Sequence, residues 1–162
     1  MADYDLNMDE ELIRISAPDT VETYGLGPCL GIAFYQPNTK TGYMAHLTAP
    51  AHDSNVYDIV NLVLADLGVE DLKVTLAGLC TLTPSCGVDL EMCLEARSFN
   101  IDLKFQLHQY LLDKGISESD ISEQYAKIPG STSTLLLDAE DGSVYVEEED
   151  FIPNFDTGDF DF

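Results

Sequence analysis

Positive charge is what this chain has least of. Seven Lys and Arg face 30 Asp and Glu, a formal net charge of −23 at pH 7. Such a surface repels phosphates and anionic headgroups, which excludes nucleic acid and anionic lipid as partners. No run of eighteen apolar residues occurs, so no membrane insertion is expected. The acidic start, Met1 to Glu11, lacks the basic residues and apolar stretch of a secretory signal, and a cytoplasmic protein is expected. Close cysteine pairs are also missing. Cys29, Cys80, Cys86 and Cys93 form no Cys-x-x-Cys, and His46, His52 and His108 supply no zinc-ligand spacing. Neither a metal nor an organic cofactor is expected, and a cytosolic chain of this size is not expected to carry disulfides.

With 11 Gly, 7 Pro and 45% hydrophobic residues, the 162-residue chain is neither fibrous nor disordered and is long enough to bury a core. Its acidity has two readings. One is a solvated surface suited to high salt, where a Debye length of about 3 Å at 1 M screens self-repulsion. The other is an acidic tail that docks a basic partner. Acids spread from Asp3 to Asp161 with only five Lys, which favours the first. The organisation read from composition is one domain over residues 1–150, then an acidic tail at 151–162 with four Phe and no basic residue.

Alternation in Glu11–Ser16 predicts a half-buried strand, and Thr20–Tyr24 a second extended segment, broken at Gly25. Cys29–Tyr35 is almost wholly apolar and reads as a strand central in a sheet. Pro37–Lys40 is turn chemistry, and Gly42–Thr48 returns as a hairpin partner. Asp53-Ser54-Asn55 offers caps for a helix whose Val56, Ile59, Val60, Val63 and Leu67 recur at helical spacing up to Gly68. Leu72–Leu79 reads as a strand and Val88–Leu94 as another; Asn100 is placed as the cap of a second helix ending at Lys114-Gly115. Thr132–Leu137 and Ser143–Glu147 flank Asp141-Gly142, a hairpin signal. Strands and helices mix without strict βαβ alternation, so a layered α/β sandwich around mixed β-sheet is expected.

The chemistry concentrates at Gly25-Leu26-Gly27-Pro28-Cys29. Two glycines permit a sharp turn and close backbone approach, and a cysteine leaving that turn stands at the mouth of a strand, a suitable place for a nucleophile. A cysteine there is more often simple packing. A nucleophilic thiolate needs a nearby base. His108 falls beside the apolar face of a helix and His52 in a loop, whereas His46 lies on the strand that hairpins back on the Cys29 strand.

Thr23-Tyr24-Gly25-Leu26-Gly27-Pro28-Cys29-Leu30-Gly31-Ile32-Ala33, followed by Thr41-Gly42-Tyr43-Met44-Ala45-His46-Leu47-Thr48-Ala49-Pro50, resembles the signature of the CheD chemoreceptor glutamine deamidases. The Thr-to-Cys step of six and the Cys-to-His step of seventeen agree with that family. The resemblance covers about residues 12–50 clearly and the remainder loosely. It implies a protein-glutamine deamidase in which Cys29 is the nucleophile, His46 the proton carrier and Thr23 their support. The Gly25–Cys29 turn, with Gly27 and Pro28, would lie at the oxyanion. It further implies methyl-accepting chemotaxis receptors as substrates, a CheC-type phosphatase as partner, and no cofactor. Pro28 replaces the family's Ser and removes a backbone donor, and Ala77-Gly78-Leu79-Cys80 and Ala96–Asn100 depart from its glycine-rich segments. Those departures fit two alternatives: a non-catalytic regulatory module binding receptor or phosphatase, or an effector that deamidates another protein.

Overall fold

The computed structural model describes residues 1–6, 12–48 and 53–150, apart from the side chains of 53–55. Eleven elements carry the fold: β1 (Asp3–Asp5), β2 (Leu12–Ser16), β3 (Thr20–Leu26), β4 (Leu30–Gln36), β5 (Thr41–Leu47), α1 (Asp53–Leu67), β6 (Lys73–Gly78), α2 (Leu90–Asp113), β7 (Ile121–Tyr125), β8 (Thr132–Asp138) and β9 (Val144–Glu149). The strands form a four-stranded sheet, β1-β3-β8-β9, and a five-stranded sheet, β2-β5-β4-β6-β7. The β1–β3 and β6–β7 ladders are parallel and the others antiparallel, giving the mixed sheets of a layered α/β sandwich.

Burial divides along the period of two. From β4, Leu30, Ile32 and Phe34 join Val56, Val60 and Val63 of α1 and Leu103, Leu107 and Leu111 of α2 in one core cluster. Cys29, Ala33 and Tyr35 join Val21 and Leu26 of β3 and Leu135 and Leu137 of β8 in a second. The layers are therefore four-stranded sheet, five-stranded sheet, helices. β4 is buried along its whole length because both faces are covered, which is why it reads as an unbroken apolar run. Each large side chain it buries stabilises the fold by about 1.5–3 kcal/mol.

Three sequence expectations are corrected. Val88–Leu94 is not a strand: Asp89 accepts a hydrogen bond from the Met92 amide at 2.8 Å and starts α2 there. Asn100 consequently is no cap but a buried residue in the middle of that 24-residue helix. The chain also does not break at Gly25. β3 continues to Leu26, with a register shift between Thr23 and Leu26. The caps of α1, His52, and the tail from Phe151 fall outside the described residues or side chains.

Candidate functional site

The β3 irregularity is what shapes the site. Thr23 faces Leu135 of β8 and Leu26 faces Ser133, so three steps on one strand match two on the other. Gly25 absorbs the extra residue at φ +68°, a left-handed conformation that a side chain would strain, forming a bulge. Thr23 and Leu26 thereby both point inward and are fully buried, while Tyr24 between them is exposed.

On the facing sheet, β4 and β5 pair with Gly31 opposite His46. Alternation along β5 sends Tyr43, Ala45 and Leu47 toward the helices and His46 toward the four-stranded sheet. There the His46 Nδ1 lies 2.6 Å from the Thr23 Oγ1. Thr23 Oγ1 also donates to the Leu6 carbonyl at 2.7 Å. Gly31 leaves the space between the sheets to Leu26 and Leu135: a Cβ there would stand 2.6 Å from Leu26 Cδ1 and 3.1 Å from Leu135 Cδ2. Cys29 precedes Gly31 by two residues and joins the same inter-sheet core as Leu26. The thiol, just ahead of β4, and the imidazole, on the adjacent β5, thus face one layer at one end of the sheet.

The turn ahead of Cys29 is fastened to β6. Leu79 donates its amide to the Cys29 carbonyl and Cys80 donates its own to the Gly27 carbonyl, each at 2.9 Å. The Gly27 amide is engaged by the Gly25 carbonyl at 2.9 Å, and Pro28 has none.

His46 is 1% exposed and desolvation lowers its pKa, so the ring is neutral at pH 7. Its Nε2 meets no hydrogen-bond partner among the described residues. A buried polar atom without a partner costs about 1–3 kcal/mol. Cys29 is 7% exposed.

Of the other candidates, His108 stands apart on α2, between Glu118 and Glu123 at 2.7 and 3.0 Å. Burial pushes the Cys80 thiol pKa up and keeps it protonated, Cys93 is buried, and Cys86 is exposed. Among the described residues no cluster of His, Cys, Asp and Glu could hold a metal ion, and no helix is long and apolar enough to cross a membrane. Sequence reasoning missed the Leu6 carbonyl altogether, because a backbone acceptor leaves no mark in residue identity.

A three-layer α/β sandwich, with a buried Thr–His pair beside the turn that carries a cysteine into β4, is the class that fold and site define. No family model matches the chain. A stretch of 36 residues is 53% identical to the probable chemoreceptor glutamine deamidase CheD 3 of Geobacter sulfurreducens, covering 22% of each chain. Another of 56 residues is 36% identical to the probable chemoreceptor glutamine deamidase CheD of Lachnoclostridium phytofermentans, covering 34% of each. The chain thus matches between about a fifth and a third of these curated relatives. Among solved structures, the hypothetical protein YfiH of Bacillus licheniformis shares the fold at a TM-score of 0.50 and 14% identity, over 75% of this chain and 52% of that one.

Proposed function

We propose that this protein is a cysteine-dependent protein-glutamine deamidase acting on chemoreceptors. One observation carries the reading: a buried, neutral imidazole held by Thr23, with its second nitrogen unengaged, on the strand beside Cys29. The local identity to CheD deamidases supplies the substrate class.

In this reading His46 takes the Cys29 proton, and the thiolate attacks the carboxamide carbon of a glutamine side chain. The tetrahedral oxyanion is stabilised near Cys29 rather than by Gly27 or Pro28. Collapse breaks the C–N bond, and the proton held by His46 leaves with ammonia. His46 next removes a proton from water, which attacks the thioester; glutamate forms and the thiol is regenerated. The cycle is redox-neutral and its residues require no cofactor. Thr23 hydrogen-bonds the imidazole and positions it.

The test is a chemoreceptor cytoplasmic fragment incubated with the full chain and followed by mass spectrometry for Gln-to-Glu conversion. Conversion should be complete with the wild type and undetectable with Cys29→Ala. His46→Ala should lower it by at least ~100-fold, the usual contribution of general acid–base catalysis. Equal conversion by Cys29→Ala would end the proposal, and absence of conversion with every variant would leave a binding module.

A further inference from the structure

We infer that the Leu6 carbonyl, at the end of the N-terminal strand, decides which nitrogen of His46 carries the ring proton, so the N-terminal segment is a positioning part of the Cys29 site. This deepens the deamidase reading and rests on it only for its catalytic meaning.

Counting protons assigns the roles. A threonine hydroxyl has one hydrogen to donate. Two atoms compete for it: the Leu6 carbonyl oxygen at 2.7 Å and His46 Nδ1 at 2.6 Å. The carbonyl can only accept, and without the hydroxyl proton its oxygen would face the Thr23 oxygen at 2.7 Å with no hydrogen between them. The hydroxyl proton therefore goes to Leu6, and the short contact to Nδ1 requires the ring to donate. A neutral imidazole has a single N–H, so Nε2 is left with its lone pair. That is the nitrogen with no partner among the described residues, and it is the one able to receive a thiol proton. With the hydrogen bonds reversed, the basic nitrogen would be turned toward Thr23 and away from any substrate.

Leu6 is held well enough to impose this. Its amide donates to the Glu22 carbonyl at 2.8 Å, and its side chain is 2% exposed in the inter-sheet core. β1 lies in parallel register on β3, Asp3 beside Thr20 and Asp5 beside Glu22. The Ala2 amide reaches the Asp19 carboxylate and the Ala2 carbonyl accepts from the Thr20 amide, both at 2.9 Å. All three β1 residues are exposed, so the Leu6 side chain is the apolar anchor of the segment.

The experiment reads the tautomer directly. Histidine ring ¹⁵N spectra of the full chain, recorded near pH ~8 where the ring is neutral, should give a protonated Nδ1 and a bare Nε2 for His46. Replacing the peptide bond after Leu6 by an ester weakens that carbonyl as an acceptor without changing a side chain. The Nδ1–H population should then fall. The Cys29 alkylation rate should drop about three- to tenfold, the scale of one neutral hydrogen bond, with core methyl spectra unchanged. Thr23→Ser should keep the wild-type tautomer and Thr23→Val should lose it. A protonated Nε2 in the wild type overturns the inference, as does an ester variant unchanged in both tautomer and rate. If the ester variant does not fold, the wild-type, Thr23→Ser and Thr23→Val spectra decide. No substrate enters any arm, so a protein without deamidase activity can still pass, and an active one can still fail.

Discussion

At the scale of single residues, His46 ties stability to pH. Desolvation holds its folded-state pKa below the ordinary value near ~6.5. As pH falls through that value the unfolded chain takes up a proton that the folded one refuses. The unfolded state then binds more protons, so the free energy of unfolding falls with pH, with a limiting slope of about 1.4 kcal/mol per unit. Above it the contribution of His46 is constant. His46→Gln removes that contribution, so the wild-type and variant curves should run parallel above about pH 7 and converge below it. Urea midpoints at several pH values measure this. Curves that stay parallel throughout would mean the imidazole is not buried neutral.

At the scale of elements, the junction of β6 with the Cys29 turn leaves no room for a side chain at Gly78. A Cβ on Gly78 would lie 2.2 Å from the Cys29 carbonyl oxygen, and the backbone there has φ +87°. Gly78→Ala must both strain the backbone and push the Cys29 turn off β6. It should destabilise the fold by about 2–4 kcal/mol and disturb Cys29 alkylation, whereas Gly68→Ala, with φ +76° and nothing within 4 Å, should cost only the backbone strain of about 1–2 kcal/mol. Equal losses in chemical denaturation would show that the contact with Cys29 is unimportant. The same contrast marks what was legible in the sequence. β4, β5 and the β8–β9 hairpin could be read because full burial or turn chemistry writes itself into residue type; Gly142, at φ +78°, closes that hairpin against Tyr35. The pairing of strands that brings His46 and Cys29 to one layer followed from the hairpin. The first turns of α2 could not be read, since Leu90, Met92 and Leu94 alternate at period two and all remain exposed, mimicking a strand. β7 offers only half-buried Ile121 and Tyr125 around three exposed polar residues, and β1 offers no buried residue at all. Their places are set by partner strands, not by their own patterns.

Across the whole molecule, like charges repel one another with little to offset them. A net −23 is not neutralised by ion pairs, because the chain has only seven Lys and Arg, and pairs such as Arg14–Asp66 and Lys73–Asp120 are partly exposed and weak in water. Acids crowd in places: Glu147, Glu148, Glu149 and Asp150 follow one another at the end of β9. Glu148 is taken up structurally. Burial would raise its pKa, but hydrogen bonds from Ser131 and from the Ile128 and Lys127 amides outweigh that and lower it. The rest repel in the compact state more than in the expanded chain, so folding is opposed by charge at low ionic strength. Added sodium chloride should raise the thermal midpoint. The rise should be steepest at low salt and flatten toward 1 M, because the screening length shrinks from about 10 Å at 0.1 M to about 3 Å at 1 M and then has little left to remove. Neutralising part of β9 with Glu147→Gln and Glu149→Gln should raise the low-salt midpoint and shrink its salt dependence together. A midpoint that climbs linearly past 1 M, or a double variant with the wild-type salt response, would assign the effect to preferential exclusion of salt from the surface, and the acidity would then need another physical cause.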